Sequence, residues 1–435
     1  MTIHTTNLRL SPLLIAFFSS IAAAQTTAPS QLAFPTAEGF GRFAKGGRAG
    51  AVIYVTSLED SGPGTLREAV STPGPRTVLF KTSGIIHLKS RLTVHEPFLT
   101  IAGQTAPGDG ICLADQDIVI QTHDVIIRYL RMRAGDVLPG ERDAMSIVDG
   151  VDVIIDHCSA SWSIDEGLST TKGSKNVTVQ WTFIAEALHN SQHSKGNHGY
   201  GAIMQGQALT YHHNLFAHNR SRNPRPESGY QDFRNNVIYD WNGMAGYAED
   251  NGFQLNYVGN YLKAGPGTAS SREIAFHTGK TRTFMFVKGN VMEGIVAEGD
   301  NDMKIINVRN GGNIVDKEFD FAPVKTDTAT VAYQRVLAEG GATLPKRDSV
   351  DARIVETVKS GTGRLIDSPK DVGGWPEYKS APAPADTDSD GMADAWEQQH
   401  RLNANDPRDR NADGDADGYT NLEEFLNNTN PAAKG

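Results

Sequence analysis

"ALTYHHNLFA" at residues 208–217 returns in loosened form as "YQDFRNNVIY" at 230–239, "QLNYVGNYLK" at 254–263 and "FMFVKGNVME" at 284–293. Each copy is a run of β-branched or aromatic residues broken by an asparagine, and that asparagine recurs at 214, 236, 260 and 290. Earlier copies are "DVIIRYLRMR" at 124–133, "DVIIDHCSAS" at 152–161 and "NVTVQWTFIA" at 176–185. The asparagine steps of 22, 24 and 30 residues signal a solenoid. Asparagine suits the corner of a coil because it tolerates the left-handed backbone and its amide can bond to the same amide one coil away. Three short strands per turn with no helical periodicity between them predict an all-β fold, a right-handed parallel β-helix from Thr77 to about Met292. A βαβ sheet would need a helix of about 10–15 residues in each crossover. A β-sandwich is disfavoured because hairpin turns such as Asn-Gly are scarce between neighbouring strands.

Composition narrows what such a solenoid can do. The 435 residues carry a formal net charge of −10, which argues against nucleic acid or an anionic membrane as the main partner, since either favours a basic face. Two cysteines, Cys112 and Cys158, are too few for a disulfide framework, so rigidity has to come from coil stacked on coil. Arg9, the apolar run Leu13 to Phe18 and the small residues before Gln25 have the pattern of a secretory signal peptide over 1–24. That run is far shorter than the ~20 residues of a spanning helix. The chain is therefore expected to be secreted and extracellular, with no membrane span, and to act as a monomer.

Beyond the repeats, "ATVAYQRVLAEGG" (329–341) and "ARIVETV" (352–358) have helical spacing and are expected to pack on the solenoid's side or end. Alternating alanine and proline in "KSAPAPADT" (379–387) predict a semi-rigid linker. The expected organisation is thus a solenoid domain over 25–378, a linker over 379–385 and a module over 386–435. That module repeats a different pattern. In "DTDSDGMADAWE", Asp386, Asp388, Asp390, Asp394 and Glu397 stand at loop positions 1, 3, 5, 9 and 12 with Gly391 at 6. In "DGDADGYTNLEE", Asp413, Asp415, Asp417, Asn421 and Glu424 do the same with Gly418. A hard cation takes about six to eight oxygens, the alternate spacing turns them inward, and the glycine permits the sharp turn. The pair resembles dockerin-like and related EF-hand-like bacterial calcium modules, which implies Ca²⁺ and either attachment to a protein partner or a calcium-stapled spacer.

A second resemblance spans most of 34–374. "DAMSI" (143–147), "VIIDHCS" (153–159), "IDEGLSTTKGSKNVTV" (164–179), "HHNLFAHNRSRNPRPE" (212–227) and "FRNNVIY" (233–239) follow the order and spacing of the extracellular pectate lyases of the parallel β-helix type. That resemblance implies a calcium-assisted polysaccharide lyase acting on polygalacturonate, an acidic plant cell-wall polymer. It places the family's proposed base at Arg222, with substrate held by Arg225 and Lys195. Catalytic calcium ligands correspond to Asp143 and Asp165, with Glu166 next to it. Ser169 stands where the family has a carboxylate, and Glu227 where it has a second arginine.

The chemistry supports such an assignment on its own terms. The C5 proton of a uronate is too weakly acidic to remove unless the adjoining carboxylate is neutralised, which Ca²⁺, Arg and Lys can do. The base is the difficulty, because arginine is protonated in proteins as a rule. Rival readings are a pectin lyase on methyl-esterified chains, favoured by Ser169; a polygalacturonase, which needs an inverting carboxylate pair; and a non-catalytic sugar-binding solenoid. Weaker signals take plainer expectations. "GFGRFA" (39–44) reads as a turn near the solenoid's start, and His189, His193 and His198 as stacked coil-edge residues in preference to a zinc cluster. His157, His212 and His213 read as structural, and Arg131, Arg133 and Lys172 as a solvated edge.

Overall fold

The repeated runs pair with their own equivalents one turn away. Val125, Val153, Val177 and Leu209 lie in register on successive parallel strands, and all four are fully buried. In a computed structural model, which describes residues 1–2, 31–249, 251–268, 272–309 and 311–433, this stacking builds parallel sheets of eleven, nine and six strands, with a further three-stranded patch. The expected signal peptide lies outside the described residues apart from its first two. Each quoted repeat supplies two strands of one coil: Gln207–His212 and Leu215–Ala217 meet at a corner, and the next strand, Arg225–Pro226, belongs to the six-stranded sheet. The interior of the coils is one continuous apolar column. The expected parallel β-helix is therefore the fold.

At the corner the four asparagines do form a row. The Asn214 amide donates to Asn236 Oδ1 at 3.0 Å, Asn236 to Asn260 at 3.3 Å and Asn260 to Asn290 at 2.9 Å. Their backbone is not left-handed, however. The positive φ falls one residue earlier, at His213, Asn235, Gly259 and Gly289. The asparagines are thus explained by the amide row alone, and the residue before each takes the turn. Outside that corner Tyr129, His157, Trp181 and His213 stack ring on ring, so His157 and His213 are structural, as expected.

Residues 33–50 cross the outer face of the eleven-stranded sheet. "GFGRFA" is a turn, but it lies over the middle coils and not at the solenoid's start: Gly41 N donates to Thr178 Oγ1 at 2.8 Å, and a Cβ at Gly41 would stand 2.3 Å from the Val153 carbonyl oxygen. Helices Ala329–Glu339 and Ser349–Ser360 cover the nine-stranded sheet, with Val336, Leu337, Ile354 and Val358 packed on Phe183, Leu215 and Val237. Beneath them Arg131 and Arg133 are fully buried, which corrects the solvated-edge reading. Arg133 reaches Asp348 at 2.8 Å and Asp351 at 2.9 Å, and the ion pairs explain how two arginines tolerate burial. Cys112 and Cys158 are buried and unpaired.

The acidic tail, with helices Asp394–His400 and Asn421–Asn427, lies on the first coils. Arg48 pairs with Glu423 at 2.7 Å and Arg128 donates to Asn427 Oδ1 at 2.7 Å. No helix among the described residues is long and apolar enough to cross a membrane.

Candidate active site

The six-stranded sheet carries a polar groove of about 290 Å³, lined by Val119, Gln121, Ser146, Val148 and Thr171 and edged by Asp143, Asp165 and Lys172. Strand alternation explains it. In Met145–Val148 the side chains of Met145 and Ile147 point into the column while Ser146 and Val148 are left partly exposed. Asp143 comes just before that strand, and Asp165 and Glu166 just before Leu168–Thr171, its neighbour in the sheet. Parallel register therefore stacks three carboxylates at one end of the groove. One oxygen from each of Asp143, Asp165 and Glu166 falls within 4.8 Å of the others.

Each of these carboxylates already has partners. Asp143 accepts from Ser146 Oγ at 2.7 Å and from the Glu166 backbone N–H at 3.0 Å. Burial, with Asp165 and Asp117 close by, pushes the Asp143 carboxyl above the ordinary range. Glu166, which is 3 % exposed, is ion-paired to Arg222. Arg222 lies over the Tyr200 ring at 4.0 Å and has φ +59, a conformation uncommon outside glycine and of the kind that gathers at functional sites. Arg222 and all three acidic candidates thus meet beside the groove, whose walls include Asp143 and Asp165.

The substrate-binding candidates sit further out. Arg225, on the strand that pairs with Ile203–Met204, is bound by Glu227 at 3.0 Å. Glu227 thus removes a positive charge from that wall and engages the one beside it. Lys195 is exposed on the loop before His198, and its backbone N–H donates to His193 Nδ1 at 3.1 Å. Ser169 is buried and accepts from the Ile203 N–H at 3.1 Å.

Two histidines belong to the site that the sequence reading left at a coil edge. The His193 and His198 rings stack with centroids 3.5 Å apart, and His198 Nε2 is 2.6 Å from Asp165 Oδ1. Burial and the facing His198 lower the His193 pKa. Its Nδ1 accepts from the Lys195 N–H, and its Nε2 faces Asp165 and Glu141. One ring nitrogen each from His193 and His198 and one Asp165 oxygen also lie within 4.8 Å of one another. Although burial raises it, these histidines and Arg222 hold the Asp165 carboxyl below its usual range. No sequence spacing announces this pair, because the loop from Leu188 to Tyr200 has no repeat to index it.

The tail brings together a different set. Asp386, Asp388 and Asp390 form one close group, Asp390, Glu397 and Asp409 a second, and Asp413, Asp415 and Asp417 a third. Asp394 stands outside: its carboxylate accepts from Thr387 N at 2.7 Å and Thr387 Oγ1 at 2.8 Å. Asn421 donates from its amide to the Asp409 carbonyl at 2.8 Å, while Glu424 keeps a buried Oε2 without a partner. Burial and the neighbouring carboxylates push Glu397 up to about 7 and Asp390 up to about 6.

The groove and its solenoid have counterparts in known proteins. The family described as pectate lyase matches residues 99–265, the coils that carry Asp143, Asp165, Glu166, Arg222 and Arg225. A probable pectate lyase C of Aspergillus flavus is 35 % identical over 98 % of this chain and 100 % of its own length. Among solved structures, a pectate lyase bound to hexasaccharide superposes with TM-score 0.55 at 13 % identity, covering 73 % of this chain and 99 % of its own. The cedar pollen allergen jun a 1 does so with TM-score 0.54 at 20 % identity, covering 70 % and 92 %. The structural likenesses carry the fold, and the full-length relative carries the rest: this chain belongs to the pectate lyase family.

Proposed function

We propose that the chain is a secreted pectate lyase that cleaves polygalacturonate by β-elimination, leaving an unsaturated uronate at the new end. The observation that carries this is the meeting of Asp143, Asp165 and Glu166 with Arg222 at one end of a polar groove. An all-oxygen donor set suits a hard cation such as Ca²⁺, and such an ion would neutralise the uronate carboxylate beside the C5 proton. Arg222 is the residue placed to take part in proton removal. In the groove as it stands Glu166 engages the guanidinium; Asp143, Asp165 and Glu166 would hold the cation, which would supply neutralisation of the uronate carboxylate, and Arg222 would face the substrate. Lys195 and Arg225 are proposed to bind substrate carboxylates, and Tyr200 to hold the Arg222 side chain in place.

The N-terminal segment 1–24 is proposed as the signal peptide, 25–378 as the lyase domain, 379–385 as the linker and 386–435 as a calcium module of the EF-hand-like kind. The buried, unpartnered oxygens of Asp388, Asp390, Glu397 and Glu424 support a cation there. The deciding experiment is release of unsaturated product, followed by absorbance, on polygalacturonate and on methyl-esterified pectin with and without chelator. Activity on the acidic polymer that chelator abolishes is the expected result. Activity confined to esterified pectin and indifferent to chelator would make the protein a pectin lyase, and no product from either would leave a sugar-binding solenoid.

A further inference from the structure

The first tail loop gathers a carboxylate that its sequence motif does not contain. Asp390 is common to two close groups, one with Asp386 and Asp388 and one with Glu397 and Asp409. Asp390 and Glu397 are both 0 % exposed. Both Glu397 oxygens, both Asp388 oxygens, Asp390 Oδ2 and Asp409 Oδ1 are buried without a hydrogen-bond partner. Removing an ionised carboxylate from water without a partner costs several kcal/mol. Among the described residues no positive side chain pairs with this inner set; Lys81 approaches only Asp386, at 3.6 Å. A divalent cation among the oxygens removes the penalty for all of them at once.

Asp409 lies twelve residues beyond Glu397, outside either loop. It fills the gap left by Asp394, which has turned away to Thr387. Its position is fixed on two sides: Oδ2 accepts the Asn403 N–H at 3.0 Å, and its carbonyl accepts the Asn421 amide at 2.8 Å. The second contact reaches the helix of the second loop.

The same loop is also where the tail meets the solenoid. Asp386 accepts from Tyr54 OH on strand Ala51–Val55, and Lys81 follows strand Arg76–Phe80. Gly391, with φ +107, makes the loop's sharp turn against those strands, and a Cβ there would stand 3.0 Å from Leu79 and 3.3 Å from Val52. Elsewhere the fit is loose. Met392, Phe425 and Leu426 face Leu79, Phe80, Pro107 and Leu344 across a cavity of about 470 Å³, so close apolar packing does not hold the tail here.

Resting on the reading of the tail as a calcium module, we propose that Asp409 completes the first site, so that Asp386, Asp388, Asp390, Glu397 and Asp409 hold one divalent cation, and that this ion locks the tail to the first coils through Asp386. Without the ion the carboxylates repel one another, the loop opens and Asp386 leaves Tyr54.

The test uses the full-length protein. Calcium binding is followed by titration calorimetry, and hydrogen exchange is read at Val52–Val55 with calcium and with chelator, for wild type, Asp409→Asn and Asp413→Asn. Expected for Asp409→Asn is the weakening of one calcium-binding event by about tenfold or more, because affinity in such loops follows the count of charged ligands. Exchange at Val52–Val55 should then be fast at a calcium level that protects wild type. Asp413→Asn should lose a different event and keep the protection, which also controls for misfolding. An Asp409→Asn isotherm that superposes on wild type, or a strand whose exchange ignores chelator, overturns the inference while leaving the calcium module standing. If the wild-type protein binds no calcium, or neither Asp409→Asn nor Asp413→Asn alters any binding event, the calcium module itself falls and this inference with it.

Discussion

The groove and the tail each gather carboxylates, and they differ in what answers them. In the groove Asp143 is held by Ser146 and a backbone N–H, Asp165 by His198 and Glu166 by Arg222. In the tail the oxygens of Asp388, Asp390, Glu397 and Asp409 have little but one another. A cation entering the groove would relieve Asp143, which burial and Asp165 push up, but would also have to displace Arg222 from Glu166 and His198 from Asp165. A cation entering the tail relieves repulsion and desolvation together. On the proposed reading one donor chemistry would serve two ends: an exchangeable ion that comes with substrate, and a resident ion that holds structure.

The largest effect should come from the residue that separates the groove from a mere cation site. Arg222→Lys keeps the charge beside Glu166 but loses the planar fork, and turnover should fall about 10²-fold or more, with circular dichroism and tail calcium unchanged. Turnover above about a tenth of wild type would move the catalytic role to another group. Next, the two kinds of site should separate under graded chelation. Lyase activity should disappear at free calcium about tenfold or more above the level at which thermal stability falls; coincident losses would mean the two clusters bind alike. Asp143→Ala and Asp165→Ala should each raise the calcium needed for half-maximal activity, Glu166→Ala less so, while the calcium dependence of melting stays put. If all three variants keep the wild-type requirement, the groove ion is held elsewhere. Smallest is the effect of truncation after Ala383. Turnover on soluble polygalacturonate should stay within about twofold of wild type because no described tail residue lines the groove, while the melting midpoint drops by a few degrees as Leu79 and Phe80 lose their cover. Loss of turnover in a folded truncated protein would tie the tail to catalysis.

What could be read from the sequence was whatever a repeat or a fixed spacing indexes. The asparagine steps fixed the coil and its corner, and the order of short motifs placed Asp143, Asp165, Glu166 and Arg222 before any geometry was known. The left-handed position was misread by one residue, because asparagine satisfies both descriptions and only backbone angles tell them apart. Asp409 was invisible since it lies between the two loops, where neither loop's spacing indexes it, and the stacked His193 and His198 because they come from an irregular excursion between coils. The burial of Arg131 and Arg133 could not be foreseen either: it depends on Asp348 and Asp351, more than two hundred residues away, which arrive with the covering helix.

The asparagine row at the corner also has a beginning and an end. Asn214 Oδ1 receives the Thr182 N–H at 2.9 Å, and the row finishes when Asn290 donates twice, from backbone and amide, to Asp302 Oδ2 at 3.0 Å. Every interior member hands two hydrogens forward, from backbone and amide, and takes two from behind, so one coil is interchangeable with the next, whatever length of loop it carries. A carboxylate has none to hand on. Asp302 is the full stop of the row, although Ile306–Asn307 and Asn313–Ile314 still extend the sheets past it, and a further coil at this corner, by duplication or by a second chain meeting this end, would find the row closed.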